Sequence, residues 1–130
     1  MTRLVAIGVG CRGGVAGEAI AALVRRALAE AGAPEGERRM FTLEAKAREP
    51  GLIEAARLLG VRLTPLALEA LEAQAERIVT PSAAARKRFG APNIAEAAAL
   101  AGAGQGGRLL SPRLKADGAT CAVALSADQR

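Results

Sequence analysis

The stretch GVGCRGG at residues 8–14 contains residue types whose spacing could support chemistry. Gly8, Gly10 and Gly13 satisfy the G-x-G-x-x-G spacing that lets a dinucleotide phosphate approach the start of a helix. The usual acidic partner is missing, because Glu44 follows Gly13 by 31 residues rather than by about 20. The absence of an acidic residue at that distance argues against a nicotinamide or flavin site. The stretch still indicates a loop whose backbone can approach an anion, carboxylates included.

Two side chains could take part in a reaction directly, Cys11 within this stretch and Glu49 before Pro50. The chain contains no His, so the commonest general base and the imidazole metal ligands are excluded. Cys11 could act as a nucleophile if a helix N-terminus lowered its pKa. Glu49, which Pro50 holds extended, is the better acid or base candidate. The alternative for Glu49 is an ion pair with Lys46 or Arg48.

The composition predicts one domain over residues 1–130 with an unusual core. Hydrophobic residues make up 51% of the chain and aromatic residues only 2%, so Ala, Val, Leu and Ile must supply the buried surface. The two cysteines, Cys11 and Cys121, are predicted to be unpaired in a reducing cytosol. They are too few to hold a structural zinc, and we expect no metal and no cofactor. No apolar run approaches the roughly 18 residues of a membrane span, so we expect a cytoplasmic protein that does not contact membranes.

The net charge of +5 lies in the C-terminal part of the chain. Residues 1–76 contain ten acidic and ten basic side chains, whereas residues 77–130 contain eight basic and three acidic ones. This excess could attract a polyanion, and the alternative is a solvated helix face with basic strand ends. Nucleic-acid binding is the rival function that the charge suggests. We expect no nucleic acid, because only Phe41 and Phe89 could stack on bases and no helix-turn-helix or zinc-finger spacing occurs.

The elements that must position these residues follow from hydrophobic periodicity and from glycine and proline signals. An apolar run at 4–9, the glycine-rich stretch and the helical spacing over 17–31 predict a strand, a loop and a helix that Gly32 and Pro34 end. Further strands are predicted at 39–43 and 62–65. Further helices are predicted from Pro50 to Gly60, over 68–78, after Thr80 and after Asn93.

The remaining segments predict a loop and a closing hairpin. Residues 101–107, AGAGQGG, are typical of a flexible loop. The strands LLSPRLK and ATCAVAL flank Asp117-Gly118, a strong two-residue hairpin signal, and Pro112 places the first strand at a sheet edge or a bulge. Asn93 is predicted to cap its helix, with Glu96 reaching back. Together these elements predict an α/β protein, a three-layer α/β/α domain with a mixed sheet and a C-terminal β-hairpin.

Four segments in order resemble the family formed by CobE and the C-terminal domain of CbiG. They are GVGCRGG with the Glu-x-x-Ile helix that follows, LEAKAREPGL, TPSAAARKRFGAPNIAEAAAL, and the closing LLSPRLK hairpin. The resemblance covers nearly the whole chain and implies a role in cobalamin biosynthesis. In that pathway the full CbiG protein opens a lactone on a cobalt-containing corrin precursor and expels a two-carbon fragment.

The resemblance implies binding or handling of a corrin or precorrin intermediate, in the company of other cobalamin biosynthesis enzymes. Hydrolysis of a precorrin lactone is the enzymatic alternative, and a purely structural subunit of a biosynthetic complex is another. A corrin precursor is a flat apolar ring edged by acetate and propionate carboxylates. Its site should therefore offer basic groups around an apolar floor.

The family's motifs imply a set of ligand-binding residues in this chain. They are Gly10, Cys11, Arg12, Gly13, Lys46, Glu49, Ser82 and Lys115. Because loops that follow parallel strands gather at one edge of a sheet, the loops around Cys11 and Lys46 are expected to share a crevice. Ser82 has a structural alternative, since it could satisfy free amides of its own helix. Ala16 and Gly17 depart from the family pattern, because neither supplies the hydroxyl expected near position 16.

Overall fold

A five-stranded mixed sheet forms the centre of the protein in the computed structural model, which describes residues 3–79 and 93–127. Its strands are β1 (Leu4–Cys11), β2 (Glu37–Leu43), β3 (Arg62–Leu66), β4 (Arg108–Ala116) and β5 (Ala119–Leu125). They lie in the order β3-β2-β1-β5-β4, with β1, β2 and β3 parallel and with β5 antiparallel to both β1 and β4. The carboxyl ends of β1 and β2 therefore lie beside the β4–β5 turn, at one end of the strands. This end of the strands is called the sheet edge below, as distinct from the outermost strands β3 and β4.

Helices cover both faces of the sheet. They are α1 (Gly17–Ala31), α2 (Pro50–Leu59), α3 (Leu68–Glu72) and α4 (Ile94–Ala103), with single 3₁₀ turns at Glu44–Lys46 and Ala75–Arg77. α1 and α2 pack together on one face, while α4 lies on the other with α3 beside it. This arrangement confirms the predicted three-layer α/β/α architecture. None of the helices within residues 3–79 and 93–127 is long and apolar enough to span a membrane.

Successive side chains of β1 point to opposite faces of the sheet and so belong to two different hydrophobic clusters. Val5, Ile7 and Val9 are buried beneath α1 and α2, whereas Ala6 packs beneath α4. Gly8 lies on the α4 face, where a Cβ would overlap the carbonyl oxygen of Ala95. The glycine thus allows the helix backbone to approach the strand.

The predicted loop over residues 8–14 is wrong for residues 8–11, because β1 continues to Cys11 and only the residues after it leave the sheet. Gly8 and Gly10 are buried strand residues. Their spacing reflects the close packing of α4 against β1. Such packing requires residues without a Cβ, as does a loop that a ligand approaches closely.

The closing hairpin forms as predicted. Asp117 and Gly118 have φ values of 52° and 83°, as a two-residue type I′ turn requires. β4 is an edge strand, and its pairing with β5 shifts register between Leu109 and Leu114, around Pro112. Pro112 therefore occupies an irregular edge position, where its missing N–H does not interrupt a central ladder.

Glycine and proline set the predicted helix limits correctly in the first half of the chain. α1 and α2 end at Gly32 and Gly60, both left-handed, and α2 begins at Pro50. Two other predictions are wrong. Residues 101–103 belong to α4, because Gly102 packs against the ring of Phe41. A single helix over 68–78 is replaced by the short α3 and a 3₁₀ turn, where Arg77 bonds the carbonyl of Gly107.

Candidate functional site

The loop after β1 and the segment after β2 lie side by side at one sheet edge. The backbone N–H of Gly14 donates to Glu49 Oε2 at 3.1 Å. Lys46 Nζ lies 3.5 Å from Glu49 Oε1, so the Glu49 carboxylate joins residues 12–16 to residues 44–50. The structure therefore brings together the two segments that the sequence predicted to share a crevice.

Local backbone geometry places Lys46 and Glu49 on the same side of their segment. The 3₁₀ turn at Glu44–Lys46 reverses the chain after β2, and the N–H of Glu49 donates to the carbonyl of Lys46 at 3.0 Å. Glu49 has the extended conformation predicted for a residue before Pro50, with φ −62° and ψ 122°. Its side chain is then free to reach across to Gly14. The side chains of Lys46 and Glu49 remain only 11% and 17% exposed.

The surroundings of Glu49 favour its ionised form. The Gly14 N–H bond lowers the pKa of Glu49, with a further contribution from the charge of Lys46. Of the two predicted ion-pair partners, Lys46 makes the contact. An ionised carboxylate can accept hydrogen bonds or a proton. It cannot serve as a general acid at neutral pH, so its chemistry here is that of an anion holding two loops together.

Cys11 ends β1 beside this pair. Burial raises the pKa of the Cys11 thiol, an effect that Lys46 opposes and Glu49 reinforces. The thiol is therefore protonated at neutral pH, which does not suit the nucleophilic role considered for it. Cys121 is buried inside β5, and both cysteines are unpaired as predicted. No group of three or more His, Cys, Asp and Glu within residues 3–79 and 93–127 could hold a metal ion.

Arg12 links the loop after β1 to the hairpin turn. Its N–H donates to the carbonyl of Gly118 at 2.9 Å, and its side chain is exposed beside that glycine. Lys115 is exposed on β4 just before the turn and pairs in register with Thr120. Thr120 in turn pairs with Gly10. Arg12 and Lys115 thus reach the same edge of the sheet from separate segments.

The glycines of the predicted site divide into two groups. Gly13 and Gly14 are exposed in the loop, and Gly14 has a φ of 84°. Gly10 is buried, and a Cβ there would lie 3.0 Å from Thr120 Oγ1 and 3.4 Å from the side chain of Ile94. Gly10 is therefore surrounded by the fold, whereas the backbone of Gly13 and Gly14 is open to a ligand. Ser82 lies outside the described residues.

A shallow depression lies between the starts of α1 and α2. Residues 14–17 and 49–51 line it together with Glu54, and its volume is about 280 Å³. Ala16 is the N-cap residue of α1 and forms no side-chain hydrogen bond to the helix, as its lack of a hydroxyl requires. Small-molecule pockets are typically about 300–1,000 Å³. A macrocycle would therefore have to lie across this edge instead of being enclosed by it.

Glu96 is a buried polar residue that the sequence predicted to reach back to the start of its own helix, and the structure gives its carboxylate partners in two other segments. Its carboxylate accepts from the N–H of Val79 at 2.8 Å and from that of Arg113 at 3.0 Å. Asn93 Oδ1 accepts from the N–H of Glu96 at 3.0 Å, which confirms Asn93 as the predicted cap. Glu96 therefore attaches the irregular part of β4 to the start of α4. A lone carboxylate within the apolar stretch IAEAAAL was the signal for such a role.

Comparison with known proteins places this fold in a class, the α/β proteins of cobalamin biosynthesis. The model of the family "Cobalamin synthesis G C-terminus" matches residues 5–124. The chain belongs to this family, and it is a protein of the cobalamin biosynthetic pathway. It is also 36% identical over 119 residues to "Protein CobE" of Sinorhizobium sp, an alignment that covers 91% of this chain and 77% of that protein.

Solved structures agree with this assignment. The crystal structure of CobE, "a protein from the cobalamin (vitamin B12) biosynthetic pathway", is 35% identical with a TM-score of 0.90, and the match covers 100% of this chain and 95% of that one. Cobalamin biosynthesis protein chiG from Agrobacterium tumefaciens is 38% identical with a TM-score of 0.71, covering 95% and 99%. A putative cobalamin biosynthesis protein G homolog from Sulfolobus solfataricus is 18% identical with a TM-score of 0.63, and the match, which covers 95% of this chain and 37% of that one, shows a shared fold.

Proposed function

We propose that the protein binds a corrin or precorrin intermediate of cobalamin biosynthesis at the sheet edge described above. The observation that carries this proposal is the meeting of three segments at that edge. The Gly14–Glu49 bond joins residues 12–16 to residues 44–50, and the Arg12–Gly118 bond joins the first of these to the hairpin turn. Each segment carries basic side chains, which are Arg12 in the first, Lys46 and Arg48 in the second, and Lys115 beside the hairpin turn.

Four basic side chains at this edge could contact a ligand with several carboxylates. Arg12, Arg48 and Lys115 are exposed, and Lys46 lies just beneath the surface. A charged hydrogen bond to a carboxylate is stronger than a neutral one. A flat ring with carboxylates around its rim could contact several of these groups at once. The open backbone at Gly13 and Gly14 allows such a ring to approach closely.

The chemistry of the nearby side chains favours binding over lactone hydrolysis. The thiol of Cys11 is protonated, and the ionised carboxylate of Glu49 is already engaged by Gly14 and Lys46. A hydrolase would need a free nucleophile or general base beside the lactone. A ring lying across a shallow edge would keep one face accessible. That geometry suits transfer of the intermediate to other enzymes of the pathway.

Titration of cobyrinic acid, a corrin polycarboxylate, tests the proposal by its visible absorbance. Arg12→Ala and Lys46→Ala should each weaken binding by about ten- to a hundredfold, since each removes a charge-assisted contact. Arg26→Ala is the matched control, because Arg26 is an exposed arginine on α1 that pairs with Glu30 away from this edge. Its affinity should equal that of the parent protein. Equal affinities for all three variants would show that this edge is not the binding site.

A further inference from the structure

We infer that Glu49 acts as a built-in competitor for the ligand, occupying with its own carboxylate the anion site that the Gly14 N–H and Lys46 form. This inference rests on the proposed function and concerns regulation of the same site. Two donors from separate segments converge on one carboxylate, at 3.1 Å from Gly14 N and 3.5 Å from Lys46 Nζ. The geometry shows that a carboxylate fits between them, because one is already there.

The burial of the pair determines how a ligand can reach this site. The side chain of Lys46 is only 11% exposed, and its Nζ lies 3.5 Å from Glu49 Oε1. A ligand carboxylate that takes the position of Glu49 between Lys46 and Gly14 must therefore replace the Glu49 carboxylate. Arg12, by contrast, is exposed and can be reached at once. The first contact of a ligand would be with the exposed arginine and the second with the covered lysine.

The surroundings of Glu49 permit this displacement. Its backbone carbonyl accepts from Leu52 and Ile53 at the start of α2, and these bonds do not involve the side chain. The carboxylate lies over the open backbone of the loop, where a Cβ on Gly13 would be 3.6 Å from Oε1. Gly14 has no atom within 4 Å of its Cβ position. The side chain can thus move toward solvent without disturbing the helix.

An internal competitor selects for ligands with several carboxylates. A tethered group competes at an effective concentration on the order of millimolar or higher, so one free carboxylate at low concentration does not replace it. A ligand that also contacts Arg12 is held near the site by that contact, so that a second carboxylate of the same ligand can replace the Glu49 carboxylate. Glu49 therefore discriminates polycarboxylates from the monocarboxylates of the cell.

The test compares Glu49→Gln with the parent protein, using acetate, citrate and cobyrinic acid as probes. The matched control is Glu30→Gln, which removes the acidic partner of another ion pair far from the edge. Glu49→Gln should bind citrate and cobyrinic acid about tenfold more tightly than the parent, and Glu30→Gln should not. The Gly14 amide signal in a ¹H–¹⁵N spectrum should shift on addition of acetate to Glu49→Gln only. Adding Lys46→Ala to Glu49→Gln should abolish the gain.

The outcomes separate this inference from the proposed function. Unchanged or weaker binding by Glu49→Gln, repeated with Glu49→Ala, would overturn the inference while leaving parent binding of cobyrinic acid intact. Failure of the parent and both variants to bind cobyrinic acid would overturn the proposed function. A Gly14 shift with citrate in Glu49→Gln would still support the competitor in that case, because that measurement does not involve a corrin.

Discussion

The two faces of the sheet are stabilised in different ways. Beneath α1 and α2, branched side chains fill the core, with Ile7, Ile20 and Leu52 fully buried. Beneath α4, most of the buried residues are alanines such as Ala95 and Ala99, with Phe41 and Leu100 as the larger members, and the helix backbone approaches the strand at Gly8. The stability of the first face depends on the volume of its buried side chains, and that of the second depends on the close approach of the α4 backbone to β1. Enlarging a residue should therefore damage the α4 face, whereas truncating one should damage the opposite face.

Gly8→Ala should have the largest effect of the substitutions that test this comparison. The added Cβ would overlap the Ala95 carbonyl and lie 2.5 Å from the Ala99 nitrogen, so backbone rather than a flexible side chain must move. We expect most of the folding stability to be lost, as judged by circular dichroism and urea unfolding. Gly13→Ala is the control in the same stretch, because its Cβ would meet only the Glu49 carboxylate at 3.6 Å. Equal stability of the two variants would contradict the close approach of α4.

Leu52→Ala should test the other face with the next largest effect. Leu52 is fully buried between α2 and the sheet, and its truncation leaves a cavity. The expected loss is about 2–5 kcal/mol in the free energy of unfolding, measured by urea denaturation. Ile53→Ala, on the same helix but half exposed, should change stability little. A loss below about 1 kcal/mol for Leu52→Ala would show that this core does not depend on volume.

Glu96→Gln should have an intermediate effect on the α4 face, where packing is tight but a polar link is buried. The glutamine amide offers one oxygen to replace two, so either Val79 or Arg113 would lose its acceptor. We expect a loss of about 1–3 kcal/mol in the free energy of unfolding. Hydrogen exchange should report faster exchange of at least one of these two amides. Unchanged exchange at both would mean that the carboxylate is not their acceptor in solution.

The effect that is smallest at neutral pH concerns Cys121, which lies in the core beneath α1 and α2 and whose titration affects stability only above pH 9. Burial raises the pKa of this thiol from its ordinary 9.0 to about 12. Because the folded pKa is the higher one, the protonated thiol stabilises the fold fully below pH 9, and this contribution is lost as pH rises toward 12. Cys121→Ala should unfold with a shallower pH dependence over that range, by up to about 1.4 kcal/mol per pH unit. Identical slopes in urea titrations would show that the thiol is accessible.

Local signals explain which parts of the fold could be predicted from the sequence. Asp117-Gly118 encodes its own turn, and Pro50 and Gly60 set the limits of α2, because each acts on neighbouring backbone. The loop prediction is wrong at Gly8, because a glycine that allows a ligand to approach and one that allows a helix to approach have the same sequence pattern. The helix that approaches Gly8 follows it by more than 80 residues.

The candidate site shows the same division. The Lys46–Glu49 contact spans three residues and was considered from the sequence as an ion pair. The Gly14–Glu49 bond joins residues 35 positions apart, and no local pattern predicts it. The roles of Glu96 likewise depend on Val79 and Arg113, each 17 positions away. Long-range contacts of single polar atoms leave no periodic trace in the sequence.

The antiparallel pairing of β1 with β5 has a consequence for how the chain folds during synthesis. Val5 pairs with Leu125, and the N–H of Leu4 donates to Ser126 Oγ across 122 positions. β1 can pair with β2 as soon as residue 43 has left the ribosome, but its other edge stays bare until β5 emerges. Chain closures over such distances are slow, and a bare apolar edge invites aggregation. Nascent chains arrested before residue 119 should therefore be more protease-sensitive and more dependent on chaperones than chains released after residue 127.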